Sequence, residues 1–367
     1  MPIVFLKRSV RHLLLCSMLS AIAVTGAAEA KTKKPAMRKV ALNPDEQGEF
    51  ANFTQWRNVS EFIDQMVSKD GFDRAALEAI FKRVRYVDTT IQLIKPAPPG
   101  RPKNWHAYRA RFVEPLRINA GVAFWDAYAD ELARAEQTYG VPAEIIVGII
   151  GVETIYGRNT GNFRVLDALT TLAFDYPDTP NRTARMEFFR GELENTLLYA
   201  RDSGIDPFTL LGSYAGAIGL PQFMPGSIRK FGVDFDGDGK IDLRNSPVDA
   251  IGSVAHFLAE HGWKRGDPIA FPVTISNEST RGWDMFIGQS LEAKFRLDEL
   301  KAAGIVPTVE PPADLMYGLV DLQNGNEPTE YWLGTNNFFA ITQYNRSFFY
   351  AMSVVDLGRA VRAARGR

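Results

Sequence analysis

The segment 141–154, VPAEIIVGIIGVET, sets one carboxylic acid at the end of an apolar run. At helical spacing Ile145, Ile149 and Glu153 lie four apart, and Ile146 and Ile150 fall seven and three residues before Glu153, so the carboxylate closes an apolar stripe. A carboxyl with aliphatic neighbours is poorly solvated as an anion, which raises its pKa and equips it to donate a proton near neutrality. Gly148 and Gly151 each cost about 1 kcal/mol relative to Ala inside a helix. That cost predicts something packed close against the backbone at both positions. Periodicity alone favours a structural glutamate, since Glu is commonplace on helices; the surrounding motifs shift the balance.

Downstream, residues 212–227 read GSYAGAIGLPQFMPGS. Glycine and proline at this density predict a tightly turned loop rather than a helix or strand. Ser213 and Gln222 bracket its small residues, a hydroxyl and an amide suited to the wall of a groove that hydrogen-bonds a polar substrate. Residues 234–242, DFDGDGKID, place carboxylates at loop positions 1, 3, 5 and 9 (Asp234, Asp236, Asp238, Asp242), with Gly239 at position 6 and the Lys240 carbonyl at position 7. This is the ligand order of an EF-hand, in which alternating oxygens wrap a hard cation. Position 12 holds Asn245 in place of the usual Glu, and Asp249, in the first turn of the next helix, is the candidate closing carboxylate. The loop contains no nucleophile, so the cation is expected to be structural.

The elements that must position these groups are mostly helical. Ser60 and Asp73 are read as caps of two early helices, and a turn-rich stretch at 95–103 precedes Trp105. A helix is expected from Gly121 to Tyr139, stopped by Gly140, and the next restarts with Pro142 at its first position. Further helices are expected over Thr183–Ser203, Pro247–His261, near Leu297–Ala302 and over Ser347–Ala364. Between Pro268 and Ile341 the pattern becomes β-leaning, as in Ile269–Ile275 and Phe338–Thr342. The fold class is therefore mainly α with a small α+β insertion.

The N-terminus has Lys7, Arg8 and Arg11 before an apolar run from Leu13 to Ala28, then Ala28-Glu29-Ala30 as small-x-small. That order predicts a secretory signal over 1–30, followed by a charged linker over 31–52. Of 42 basic and 43 acidic residues in the chain, the signal holds three and one, so the mature protein has 39 and 42, net −3. Near-neutral charge gives no electrostatic case for nucleic acid. The single Cys16 excludes an internal disulfide and would leave with the signal; anchoring through a lipidated Cys16 is the less favoured reading, because a bulky Leu precedes it.

Several motifs taken together, GVET at 151–154 with Tyr156-Gly157, LDAL at 166–169, FFRGELE at 188–194, GSYAGA at 212–217, QFMP at 222–225 and PVDAIGSV at 247–254, resemble the bacterial lytic murein transglycosylase B family, in order from about Trp56 to Arg359. The resemblance implies a lysozyme-like core at 141–264, an N-terminal α domain at 53–140, a small α+β domain at 265–340 and a C-terminal helix at 341–367 packing on the core. It further implies cleavage of the β-1,4 bond between N-acetylmuramic acid and N-acetylglucosamine of peptidoglycan glycan strands in the periplasm. Glu153 falls on the family's catalytic Glu, and Ser213, Gln222, Tyr108, Tyr344, Asn345 and Tyr350 on cleft positions that contact sugar. Phe257 stands where the family often has Tyr. The family's cation loop aligns with Asp234–Asp249, here one residue longer, and implies Ca²⁺, or Na⁺ in its place, as a structural ion with no organic cofactor. Cell-wall synthases or other hydrolases are the protein partners such an enzyme would meet.

Ordinary glycosidases use two carboxylates. Near Glu153 the sequence offers only Glu144, nine residues away, and Asp167 and Asp175 beyond a turn. A lone acid suits a substrate-assisted route, and the family likeness implies a non-hydrolytic one ending in a 1,6-anhydro ring. A hydrolytic muramidase and an inactive peptidoglycan-binding scaffold are the alternatives. Arg182 and Arg185 are read either as contacts for acidic stem peptides or as a solvated face.

Overall fold

The computed structural model describes residues 52–96, 100, 102–276 and 281–366. The expected signal, most of the linker and Cys16 lie outside the described residues. No helix among the described residues is long and apolar enough to cross a membrane.

The chain divides into two compact units, one of residues 52–266 with 353–366 and the other Asp267–Met352. The first is almost wholly helical. Its first helix starts earlier than the sequence suggested: Arg57–Asp70 begins after Trp56, with no side-chain cap, so Ser60 lies inside it. Arg74–Phe81 is capped as expected, with the Asp73 side chain accepting from the Ala76 N–H at 2.8 Å. The single helix expected over 121–139 is two, Pro115–Ala127 and Ala129–Tyr139. Glu114 caps the first by accepting from Leu116 and Arg117, with Pro115 at its first position. The break falls at Tyr128, whose ψ of 34° leaves the helical region. Gly140 ends the second in the left-handed conformation, φ 76°.

The second unit is built on a five-stranded antiparallel sheet. Its strand order is Phe295–Arg296, Met316–Asn324, Glu327–Gly334, Ala270–Ile275, Ile305–Pro307. Val273, Ile305, Tyr317, Leu319 and Leu333 of these strands cluster with Phe286, Leu297 and Leu300 as the unit's core. Phe338–Thr342, read as β-leaning, is helical within Asn336–Tyr344. Two facts override its aromatic and β-branched composition. Thr335 caps the helix by accepting from Asn337, and Asn337 through Thr342 are buried without the alternation a half-exposed strand requires. The helix Phe348–Arg365 follows.

Candidate active site

The helix Ala143–Thr154 is the central element of the larger unit. Ten of its twelve residues are buried, leaving only Glu144 and Glu153 partly exposed. The apolar stripe inferred from spacing is therefore an understatement: the helix is apolar on every face, and Glu153 is half-buried at its end. The close packing expected at the glycines is present. A methyl group on Gly148 would collide with the Val354 carbonyl oxygen, and one on Gly358 with that of Glu144, so this helix and the C-terminal one touch backbone to backbone. A methyl on Gly151 would strike the Tyr156 hydroxyl.

Directly after Glu153 and Thr154 the chain turns through two non-glycine residues with left-handed backbones, Ile155 (φ 52°) and Tyr156 (φ 55°). For a β-branched residue this conformation is strained, and such strain persists only where the surroundings enforce it. Thr154 is the enforcing clamp: its hydroxyl donates to the Leu220 carbonyl at 2.8 Å and accepts from the Gly157 N–H at 3.0 Å. Arg117 closes the other side, its Nε donating to the Gly151 carbonyl at 3.2 Å. Tyr108, on the short helix Trp105–Arg109, is half-buried. Burial pushes its hydroxyl up to about 12, opposed by Arg111 and reinforced by the charge of Glu153, so Tyr108 lies within electrostatic reach of that carboxylate.

The glycine- and proline-rich loop is tied to the same place. Its start, Leu211–Gly212, pairs with Phe163–Arg164 as a short strand, and its end enters the helix Pro225–Phe231, so the loop expected over 212–227 is narrower than its composition implied. Gly161 packs so tightly on the Gly212–Ser213 backbone that a side chain there would not fit. Ser213 Oγ accepts from the Ala217 N–H at 3.0 Å. Gln222, a third residue in the left-handed region (φ 49°), donates from Nε2 to the Thr160 carbonyl at 3.1 Å and the Gly219 carbonyl at 2.9 Å. Both amide hydrogens are thereby committed, and Oε1 is the group left to accept from a ligand.

The three carboxylates that might have served as a second acid are engaged elsewhere. Glu144 accepts from Arg362 at 3.0 Å. Asp167 is buried and accepts from Arg164 at 2.6 Å and the Arg85 N–H at 3.1 Å. Asp175 accepts from the Tyr86 hydroxyl at 2.8 Å.

In the cation loop, Asp234, Asp236 and Asp249 bring carboxylate oxygens within 4.8 Å of one another. Asp234 accepts from the N–H groups of Gly237 at 2.7 Å and Gly239 at 2.8 Å, the bend that glycine at position 6 permits. Asp249 is buried, accepts from Phe235 and Asp242 at 2.8 Å each, and burial pushes its pKa up. An all-oxygen set carrying three negative charges fits a hard cation such as Ca²⁺. The carboxylates of Asp238 and Asp242 do not join this group. Asp238 accepts from the Lys240 N–H at 2.8 Å, and Asp242 accepts from Arg244 and Asn245 at 3.0 Å each. The loop is coupled to the site above, because Leu220 donates to the Leu243 carbonyl at 2.8 Å and Gly219 lies directly on that carbonyl.

Among the remaining expected residues, Phe257 is enclosed in an aromatic cluster, 4% exposed, with rings at 5.6 Å (Phe223), 5.0 Å (Phe231) and 4.0 Å (His261). Tyr344, Asn345 and Tyr350 belong to the smaller unit and are buried, the two rings stacked at 6.3 Å. Arg182 donates to the Tyr176 carbonyl at 2.7 Å, and Arg185 is buried against Phe189 at 5.0 Å, which favours a structural role for both over a solvated face. Sequence reasoning missed Arg117 and Glu192. Arg117 reaches a carbonyl 34 residues away, for which local sequence has no signal. Glu192 is buried beneath the loop, accepts from the Gly226 N–H at 2.8 Å, and burial raises its pKa to about 7. Its place in a motif was visible; its burial was not.

A lone carboxylic acid ending a buried helix, beside a strained turn and a glycine-rich wall, is the arrangement of a lysozyme-like glycan-cleaving enzyme. The transglycosylase SLT domain family matches residues 53–359, and the chain belongs to that family. It is 44% identical over 326 residues to the membrane-bound lytic murein transglycosylase B of Escherichia coli, covering 87% of this chain and 85% of that one. Among solved structures it is similar to the soluble lytic transglycosylase SltB1 of Pseudomonas aeruginosa (44% identity, TM-score 0.76, covering 84% of this chain and all of that one). It is also similar to an Escherichia coli lytic transglycosylase in complex with calcium (42% identity, TM-score 0.75, 89% of this chain and all of that one). The fold is accordingly the mainly α, lysozyme-like one that the motifs implied.

Proposed function

We propose that this enzyme is a peptidoglycan lytic transglycosylase that cleaves the β-1,4 bond from N-acetylmuramic acid to N-acetylglucosamine without water, using Glu153 alone as acid and then base. The observation that supports the reading is the position of Glu153, the half-buried carboxyl at the end of the otherwise apolar helix Ala143–Thr154, beside the strained turn that Thr154 clamps. Glu153 protonates the glycosidic oxygen as the 2-acetamido carbonyl oxygen of the muramic acid attacks its anomeric carbon. The N-acetylglucosamine leaving group departs with the proton. The ionised Glu153 then takes the proton of the 6-hydroxyl, whose oxygen displaces the acetamido group and closes the 1,6-anhydro ring. Acid first and base second is a natural use of one carboxyl in a poorly solvated setting.

Ser213 and Gln222 serve as hydrogen-bonding partners of the sugar, Gln222 through Oε1, and Tyr108 flanks Glu153. Tyr344, Asn345 and Tyr350 are proposed as further sugar contacts on the strength of the family likeness alone. Asp234, Asp236 and Asp249 would hold a Ca²⁺, or Na⁺ in its place, whose charge offsets their mutual repulsion; it takes no part in bond cleavage. Delivery to the periplasm by residues 1–30 belongs to the same reading, and glycan strands are the substrate. Digestion of purified sacculi by Glu153→Gln tests it. The amide keeps the shape and carries no acid proton, so sugar binding should persist while turnover is lost; activity near wild type would remove Glu153 from the role.

A further inference from the structure

Arg117 has no role in the bond-breaking steps above, yet it joins the two segments that carry Glu153 and Tyr108. Its side chain is only 17% exposed, and a guanidinium so far removed from water needs its donors matched. Nε donates to the Gly151 carbonyl at 3.2 Å, two residues before Glu153, and Nη1 donates to the Arg111 carbonyl at 2.6 Å, three residues after Tyr108. Glu114, with a carboxylate oxygen 3.6 Å from Nη1, offsets the charge and also caps the helix Pro115–Ala127 on which Arg117 stands.

The connection continues through rings. The guanidinium carbon lies 5.2 Å from the centroid of the Phe112 ring, Phe112 is buried, and its ring lies 5.1 Å from that of Tyr108. Tyr108 in turn feels the charge of Glu153. One turn beyond Arg117, the same helix meets the turn after the acid a second time: a methyl group on Gly121 would strike the Tyr156 hydroxyl, as one on Gly151 would. The base of Arg117 is thereby fixed against the end of Ala143–Thr154. A cation that only capped the carbonyls of that helix would need the Gly151 bond alone. The bond to Arg111 and the ring contact with Phe112 extend its hold to the segment of Tyr108.

We propose that Arg117 is a positioning residue of the cleavage reaction: one guanidinium bound to the Gly151 and Arg111 carbonyls sets Tyr108 against Glu153 and holds the carboxyl in the geometry that proton transfer requires. The inference rests on the proposed function, because it takes Glu153 as the acid.

Turnover of a soluble glycan fragment is measured on the full chain, well below the melting transition of each variant. Arg117→Met keeps the stem and loses both bonds, and is expected to lower kcat about 10- to 100-fold while KM changes by less than about twofold. Arg117→Lys keeps the charge but holds one carbonyl at a time, so it should recover little of that loss. In a Tyr108→Ala background, either Arg117 substitution should cost less than about twofold more, because the geometry it maintains is already gone. A merely structural arginine would lower the melting temperature and leave the folded enzyme's kcat intact. Wild-type kcat in either single variant would overturn the proposal, as would a loss confined to KM or a loss of full size in the Tyr108→Ala background. Should Arg117→Met fail to fold, the Lys variant carries the same three comparisons. Failure of the catalytic reading is seen separately, as turnover near wild type by Glu153→Gln.

Discussion

Two regions of this molecule concentrate carboxylates by opposite means. At the end of Ala143–Thr154 one half-buried acid, Glu153, closes a helix in which every other residue but Glu144 is buried, next to a strained turn held by the Thr154 hydroxyl. In the loop Asp234–Asp249 several acids crowd an exposed turn, and a single buried one, Asp249, closes it. We propose that the first turns poor solvation into control of a proton and that the second turns accumulated charge into a site for a cation. They meet through one short path, Leu243 to Leu220 to Thr154, so the charged loop braces the residue next to the acid. A carboxylate's function is thus set less by its own chemistry than by what the fold surrounds it with.

The sharpest way to break the contrast is at the acid itself. Glu153→Gln is expected to lower turnover of sacculi by about 10²- to 10⁴-fold, the usual contribution of a general acid, with no change in melting temperature. A comparable loss from Asp234→Asn at saturating Ca²⁺ would erase the distinction between the two regions.

Next comes Glu192, the buried carboxyl under the glycine-rich loop. Its folded-state pKa of about 7 exceeds the ordinary glutamate value of 4.5, with burial as the cause, so the folded protein holds a proton that the unfolded chain releases. Its stabilisation is complete below about pH 4.5 and is lost as pH rises through 7. Between those limits the loss amounts to about 3 kcal/mol. Glu192→Gln should flatten that slope, melting higher than wild type at pH 8 and alike at pH 4.5; parallel curves would show that the carboxyl is not titrating there.

The cation loop gives the third test. Asp249→Asn is expected to abolish a Ca²⁺-induced rise in melting temperature worth about 3 kcal/mol at a hundredfold excess over Kd. The smallest effect belongs to Asp238→Asn, whose oxygen turns to the Lys240 N–H and lies outside the three-carboxylate group; it should shift stability by less than about 0.5 kcal/mol and preserve the Ca²⁺ response. If Asp238→Asn abolishes the response and Asp249→Asn does not, the loop closes as an ordinary EF-hand.

What the sequence made legible follows the range of each interaction. Local signals read well: Gly140 as a stop, Asp73 as a cap, and the glycines of the central helix as close-contact points were all visible within a few residues. The choice of Asp249 over Asn245 was readable as an option, because a carboxylate one turn into the next helix can reach back. Long-range consequences were not readable. Burial of Glu192, the Arg117 bond to Gly151 and the enclosure of Phe257 depend on helices distant in sequence. The segment Phe338–Thr342 misled because aromatic and β-branched residues serve equally in a strand and in a fully buried helix, and only the cap at Thr335 distinguishes them.

We propose that a single carboxyl, Glu153, performs both acid and base steps without admitting water. Mass spectrometry of the muropeptides released from purified sacculi tests it most directly. The released ends should be 1,6-anhydro-muramic acid, each lighter by one water than the hydrolytic product. Reducing ends at the higher mass would contradict it and make the enzyme a hydrolase.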